Sequence, residues 1–244
     1  EENYTLNKGF NLLPEPDPND IFIDIESVQD YVYPGKLEYL FGIFFEENGK
    51  KVFMPFWAHN RQDEKKNVIK FFKFTKEHFK KYPKAKIYHY APYEITALER
   101  LTSIHKVHTV DYDHYLNLNK FVDLYRVVKQ GIYVSQKSYS IKDIEKFYDF
   151  KRTSQIKKGD ISEEFYIQWL ENNDQKLLDK IEEYNKEDCL SAYRLRKWLM
   201  RIKPEQTRFF ISEKEQMELR GFEEKLLEYQ EKFKNSKIQN TLIG

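Results

Sequence analysis

Six residues near the start of the chain, Ile21 to Glu26, place two acids among branched and aromatic apolar side chains. Short apolar runs of this kind are typical of buried strands. Asp24 and Glu26 stand two residues apart, so on a strand both side chains leave the same face. A buried carboxylate is strongly unfavourable unless it is paired or bound to a cation. The chain must therefore turn this face to water, as an edge strand would, or place a cation against it.

The composition describes a chain that can build a large core. Aromatic residues make up 16% of it (18 Tyr, 19 Phe and 3 Trp), whereas glycine occurs only 8 times in 244 residues. Collagen-like, glycine-linker and disordered classes are therefore excluded. Lys and Arg number 41 against 40 Asp and Glu, and this net charge of +1 excludes a strongly basic scaffold that coats nucleic acid. The single cysteine, Cys189, excludes an internal disulfide and any multi-cysteine zinc site.

The sequence also bears on location. No stretch approaches the ~20 apolar residues of a membrane-spanning helix, so we predict no membrane partner. With one cysteine, we expect a reducing, cytoplasmic compartment. The chain begins with Glu1 rather than Met, and we expect neighbouring domains outside it.

The periodicity of apolar residues predicts the order of the elements. Alternation and β-branched runs indicate strands, and apolar spacing of three and four residues indicates helices. The predicted strands are 21–26, 37–45, 51–56, 86–90 and 121–124; the predicted helices are 61–81, one that follows Pro92, 139–147, 162–173, 175–202 and about 212–235. This order predicts an α/β fold, a mixed five-stranded sheet with helices on its faces. Residues 1–19 are expected to be an irregular leader, because alternating prolines interrupt backbone hydrogen bonding.

Further polar residues lie on the predicted helices. Glu94 falls in the first turn of its helix, where the helix dipole alone favours an acid. Tyr184 and Asp188 are four residues apart on a long helix and share one face. Each group alone is compatible with an ordinary structural role. Together with the two strand acids, however, they form an ordered series at domain-scale spacing.

This series resembles the three exonuclease motifs of the DEDD superfamily. Tyr184, four residues before Asp188, resembles the DEDDy branch, whereas the histidine branch would place His where this chain has Glu183. Over about residues 12–202 the chain is similar to the YprB-like ribonuclease-H-like domain. The stretches that carry this second resemblance are Leu13–Pro16, Ile21–Glu26, Tyr88–Tyr90 and Ser140–Glu145.

The resemblance implies a domain organisation and a partner. It implies a ribonuclease-H-like mixed five-stranded sheet with helices on both faces, formed by residues 20–203. The leader, 1–19, would precede this domain, and a C-terminal helical extension, 204–244, would follow it. The related domain often accompanies a helicase and a RecB/Cas4-like nuclease, so we expect a fused or associated partner of that kind.

The resemblance also implies a chemistry. The chain would be a 3′–5′ exonuclease that hydrolyses single-stranded nucleic acid, DNA rather than RNA, with two Mg²⁺ or Mn²⁺ ions per site. Hard oxygen ligands suit these ions. Tyr184 would orient the attacking water. Among the acids, Asp24 would bridge both ions, Glu26 and Asp188 would complete the first ion's ligands, and Glu94 would hold the second ion through water.

Several alternatives stay open. The related domains commonly carry Asp in the second motif, so Asp123 is an alternative to Glu94. A catalytically silent nucleic-acid-binding or docking module of a larger helicase–nuclease protein is the alternative to an exonuclease, and an endonuclease of the same fold is a third possibility.

Two further stretches of polar residues could bind a ligand at the surface. A basic stretch could follow a nucleic-acid backbone, although it also fits a solvated helix face; its residues are Lys142, Lys146, Lys151 and Arg152. A second stretch, 105–114, is rich in His and Asp and could ligate zinc. Its spacing matches no zinc motif, so a polar connecting loop is the prediction there.

Overall fold

The structure is a computed structural model that describes residues 8–29, 35–154, 156 and 159–211 of the chain. The predicted helix at about 212–235 lies outside the described residues, as do residues 1–7 of the predicted leader. Contacts divide the chain into two units, residues 1–209 and 210–244, and the description below concerns the first.

Five strands form one mixed sheet, as predicted. Their order across the sheet is β3-β2-β1-β4-β5. β2 is antiparallel to both β1 and β3, whereas β4 and β5 run parallel to β1. The strands are β1 Ile21–Gln29, β2 Lys36–Glu47, β3 Lys50–Trp57, β4 Ile87–His89 and β5 Phe121–Asp123. The run that contains Asp24 and Glu26 is therefore the central strand, and the edge-strand alternative is wrong.

Seven helices lie in the described part of the chain. They are α1 Arg61–Lys81, α2 Tyr93–His105, α3 Thr109–Asn117, α4 Leu124–Gly131, α5 Ile141–Ile144, α6 Gly159–Asn172 and α7 Gln175–Ile202. Two short 3-10 helices, Gly9–Leu12 and Glu145–Phe147, accompany them. None of these helices combines the length and the apolar character that crossing a bilayer requires.

The alternation along β1 divides the core between the two faces of the sheet. Ile21, Ile23 and Ile25 pack with apolar residues of α1, α2 and α3. Phe22 points to the opposite face and packs with residues of α4 and α7. Asp24 and Glu26 follow Phe22 at two-residue steps, so their side chains leave the sheet towards α7.

Two local predictions differ from the structure, and α4 is a helix that was not predicted from the sequence. The stretch predicted as a polar loop, 105–114, includes the first part of α3, which forms because Tyr112 and Tyr115 are buried against the sheet although their neighbours are polar. The leader is not wholly irregular, since it forms the first 3-10 helix and buries Leu13 in the core. In both places tertiary packing of a few apolar side chains outweighs the polar local composition.

Candidate metal centre

Two elements far apart in the sequence bring three carboxylates together. β1 contributes Asp24 and Glu26, and the middle of α7 contributes Asp188. One carboxylate oxygen from each residue lies within 4.8 Å of the other two. Glu26 is buried, and the other two acids are mostly covered. The predicted convergence of the first and last motifs is therefore present in the fold.

Asn185 fixes the position of Asp24. Its Nδ2 donates to Asp24 Oδ2 at 2.7 Å and to the Asp24 backbone oxygen at 3.2 Å. Gly42 on β2 lies opposite Asp24 in the strand register. A Cβ at Gly42 would stand 1.8 Å from Asn185 Oδ1, so only glycine leaves room for this approach. Neither residue was singled out from the sequence, although a lone glycine inside an apolar strand is a signal of close approach.

Glu94 follows a strained turn at the same edge of the sheet. Glu94 lies in the first turn of α2 and is 5% exposed. The preceding turn contains Ala91 in the left-handed region, at φ 71°. Asp123 Oδ1 accepts from Ala91 N at 3.0 Å, and His89 Nδ1 contacts Ala91 O at 2.7 Å. Strain of this kind persists where surrounding contacts hold it, and here those contacts fix Ala91, three residues before Glu94.

The two candidates for the second acid differ in their contacts. Asp123 Oδ1 accepts a second backbone N–H, from Tyr125 at 2.9 Å, and so caps α4. Glu94 Oε2 is buried and has no hydrogen-bond partner among the described residues. His89 Nδ1 lies 3.8 Å from Oε2, but burial lowers the pKa of His89 and so favours its neutral form. Glu94 therefore has the free ligand atom.

Burial and mutual repulsion act on the ionisation of these acids. Burial raises the pKa of Asp24, and the charges of the neighbouring acids raise it further. Burial also raises the pKa of Glu26 to about 8, and Asp188 adds to the rise. The pKa of Glu94 lies well above its ordinary value, mainly through burial. Without a cation, the centre therefore opposes its own ionisation.

The hydroxyl of Tyr184 lies close to Lys142 and to Asp188. It accepts from Lys142 Nζ at 2.9 Å, and Asp188 follows four residues later on the same helix. Burial raises the pKa of Tyr184, and the nearby acids raise it further. The phenol therefore stays protonated at neutral pH and can position a water or a phosphate by hydrogen bonding, but it cannot serve as a base.

The predicted basic stretch divides into two parts. Lys142 and Arg152 face the acids, and Arg152 Nη2 donates to Asp188 Oδ1 at 2.5 Å. Lys146 instead forms a surface ion pair with an acid three residues before it. Lys151 is exposed. Only the first pair is placed where a group bound at the acids would meet it.

The residues of the centre fit a divalent cation. All the candidate donors are carboxylate oxygens, the ligands that Mg²⁺ and Mn²⁺ prefer. A cation at the triad would offset the repulsion among the acids, whereas Glu94, with its unpartnered oxygen, is not part of that triad. Within the ranges that the structure describes, the triad of Asp24, Glu26 and Asp188 is the one group of acids, histidines or cysteines close enough to bind an ion together. The His- and Asp-rich stretch 105–114 forms no such group.

Comparison with known families agrees with this geometry. A family model of the RNase H superfamily (RNase_H_2) matches residues 21–200. The chain belongs to the RNase H superfamily. No curated protein matches it. Membership of the RNase H superfamily supports a nuclease, a hydrolase that acts on nucleic acid, and the acidic triad is a possible binding site for its metal.

Proposed function

We propose that this RNase H-superfamily domain is a metal-dependent 3′–5′ exonuclease of the DEDDy type. It would act on single-stranded nucleic acid, with DNA preferred over RNA. The observation that carries the proposal is the meeting of β1 and α7, which places three acids within 4.8 Å of one another. The position of Tyr184 on α7, four residues before Asp188 and close enough for that acid's charge to raise the pKa of its hydroxyl, supports the DEDDy assignment in particular.

The acids would hold two Mg²⁺ or Mn²⁺ ions, with Asp24, Glu26 and Asp188 as ligands and Glu94 as the second-motif acid. When bound, such ions supply a nucleophilic water at neutral pH and neutralise charge on the departing oxygen. Asn185 holds one oxygen of Asp24 by hydrogen bonding and leaves the other available. Tyr184, kept protonated by its surroundings, would orient the attacking water through its hydroxyl.

The proposed context follows from the same resemblance. We expect the domain to work beside a helicase or a RecB-like nuclease, fused or associated, in the cytoplasm. Cys189 is buried and free, which is compatible with a reducing compartment.

The exonuclease proposal is tested with purified protein, Mn²⁺ and 5′-labelled single-stranded DNA. We expect a ladder of products shortened from the 3′ end, slower shortening of the matching RNA, and no cleavage of circular single-stranded DNA. Asp188→Asn, which retains the shape of the side chain but loses its charge, is the inactive control. Cleavage of the circle would show an endonuclease instead. A folded wild-type protein that leaves both linear substrates intact would contradict the proposal.

A metal titration separates the exonuclease from the silent module. An ion that binds only the folded protein stabilises it by about 2.7 kcal/mol at 100 times its dissociation constant. For a domain of this size that corresponds to a rise of roughly 5–10 °C in melting temperature. We expect Mn²⁺ to produce this rise in the wild type but not in Asp24→Asn. An equal response of the two proteins would show that the acids do not bind the ion.

A further inference from the structure

Two positively charged side chains reach into the acidic centre. Arg152 donates to Asp188, and its Cζ lies 5.7 Å from the centre of the Tyr184 ring. Lys142 donates to the Tyr184 hydroxyl and lies 4.7 Å from the centre of the same ring. Fixed cations compete with a bound ion for the acids, so a site that served only to bind metal would gain nothing from them. Their presence indicates that an anionic group shares the site.

The Arg152 guanidinium is held in one orientation. Glu145 accepts from Arg152 Nε at 3.0 and 3.1 Å and also from Nη2. Glu145 is itself buried, at 5% exposure, and accepts from Ser191 Oγ at 2.6 Å. The backbone N–H groups of the two residues that follow Arg152 both bond to Glu187 Oε1. Contacts from the 3-10 helix and from α7 therefore fix both the side chain and its backbone.

One nitrogen of the Arg152 guanidinium has no hydrogen-bond partner among the described residues. Glu145 engages Nε and Nη2, and Asp188 engages Nη2 again. Nη1 is buried and has no hydrogen-bond partner in the described ranges. A buried donor without a partner is unfavourable, so its retention beside a reaction centre indicates a partner that arrives with the substrate. Guanidinium groups match phosphate oxygens in charge and in planar geometry.

We propose that Arg152 binds a non-bridging oxygen of the substrate phosphate, and that Glu145 is the residue that positions it. This inference rests on the proposed function, because it assigns a phosphate-binding residue to the same site. Arg152 then adds to the attraction between an anionic substrate and a centre otherwise lined by acids. It also acts where negative charge increases in the transition state.

The test compares wild type with Arg152→Ala and with Arg201→Ala as the matched control. Arg201 is exposed near the end of α7, about 20 Å along the helix axis from Asp188. Three quantities are measured: kcat on single-stranded DNA, binding of thymidine 5′-monophosphate in Mn²⁺, and binding of Mn²⁺ alone. For Arg152→Ala we expect kcat to fall by about 10²–10³-fold and nucleotide affinity by at least about 10-fold. Mn²⁺ affinity should stay equal or increase, because a competing cation is gone.

The role of Glu145 is tested through Arg152. Glu145→Gln should lower kcat by about 10–100-fold in the wild-type background. In the Arg152→Ala background the same substitution should lower kcat no further, because there is no guanidinium left to position. Additive losses would show that Glu145 only supports the fold.

Two outcomes would overturn the phosphate contact. One is unchanged nucleotide binding by Arg152→Ala. The other is a parallel loss of Mn²⁺ affinity, which would make Arg152 a structural support for Asp188. The proposed function fails in a different way: a wild type that degrades no nucleic acid yet binds the nucleotide through Arg152 would disprove the exonuclease and retain the contact.

Discussion

Glu26→Gln is expected to raise the stability of the metal-free protein at pH 8 and to lower its nuclease turnover by about 10³-fold. The loss of turnover follows because a carboxylate ligand is removed from a metal centre that contributes several kcal/mol to catalysis, and each 1.36 kcal/mol is tenfold in rate. Glutamine retains the size of the side chain and its capacity to accept hydrogen bonds, so the fold is preserved.

The gain in stability follows from the pKa of Glu26. Burial raises this pKa from 4.5 to about 8 in the folded protein, so the protonated form is favoured there. Between these two values the unfolded chain has lost the proton that the folded chain still binds. Stability therefore falls as pH rises through this window. A single pKa unit corresponds to about 1.4 kcal/mol, or ~3–6 °C in melting temperature for a domain of this size. Glutamine has no proton to lose and avoids the penalty.

Melting curves from pH 4 to pH 8 in EDTA, repeated in Mn²⁺, check this prediction. In EDTA the variant should match the wild type near pH 4 and exceed it by several degrees at pH 8. In Mn²⁺ the order should reverse, because only the wild type binds the ion well. Glu171→Gln, an exposed change on α6, is the matched control. A variant less stable than the wild type at pH 8 in EDTA would contradict the electrostatic account.

Gly42→Ala is expected to damage the centre although residue 42 carries no functional group. The new Cβ would stand 1.8 Å from Asn185 Oδ1 and 2.9 Å from its Cγ. Asn185 is fully buried, so it can move aside only by releasing Asp24. We expect a loss of about 1–3 kcal/mol in the free energy of unfolding, as for other overpacked sites. Turnover should fall by about 10–100-fold, as when a ligand loses the side chain that orients it.

A double-mutant cycle isolates this mechanism. In the Asn185→Ala background there is no side-chain amide to displace, so Gly42→Ala should affect stability and turnover much less than in the wild type. Chemical denaturation and turnover on single-stranded DNA supply the four values of each cycle. Equal effects of Gly42→Ala in the two backgrounds would mean that a neighbour other than Asn185 is disturbed, such as Phe53, whose Cε2 would lie 3.1 Å from the new Cβ.

The sequence predicts those parts of the molecule that local patterns encode. The spacing of Val68, Phe71 and Phe72 predicts α1, and its residues 61–81 are confirmed. The two-residue step from Asp24 to Glu26 predicts their common face, which the structure also shows. These features depend only on the periods of strand and helix, which any segment of the chain carries within itself.

The rest depends on contacts between distant segments. Asn185 becomes important only because Gly42, far away in the sequence, leaves space for it. Glu145 looks like a surface residue in a charged stretch, yet the fold buries it beneath Arg152. The helix α3 was missed because its polar residues conceal the two tyrosines that pack on the sheet. No local period records such pairings, so only the assembled fold reveals them.

The distance along the chain between β1 and α7 has a consequence for biosynthesis. Asp24 leaves the ribosome before Asp188, which follows only after nearly the whole family-matched region, 21–200, has been made. A nascent or truncated chain that ends before α7 lacks one wall of the centre and cannot assemble it. The proposed ability to cut nucleic acid therefore arises only once α7 has been made, and unfinished copies lack it.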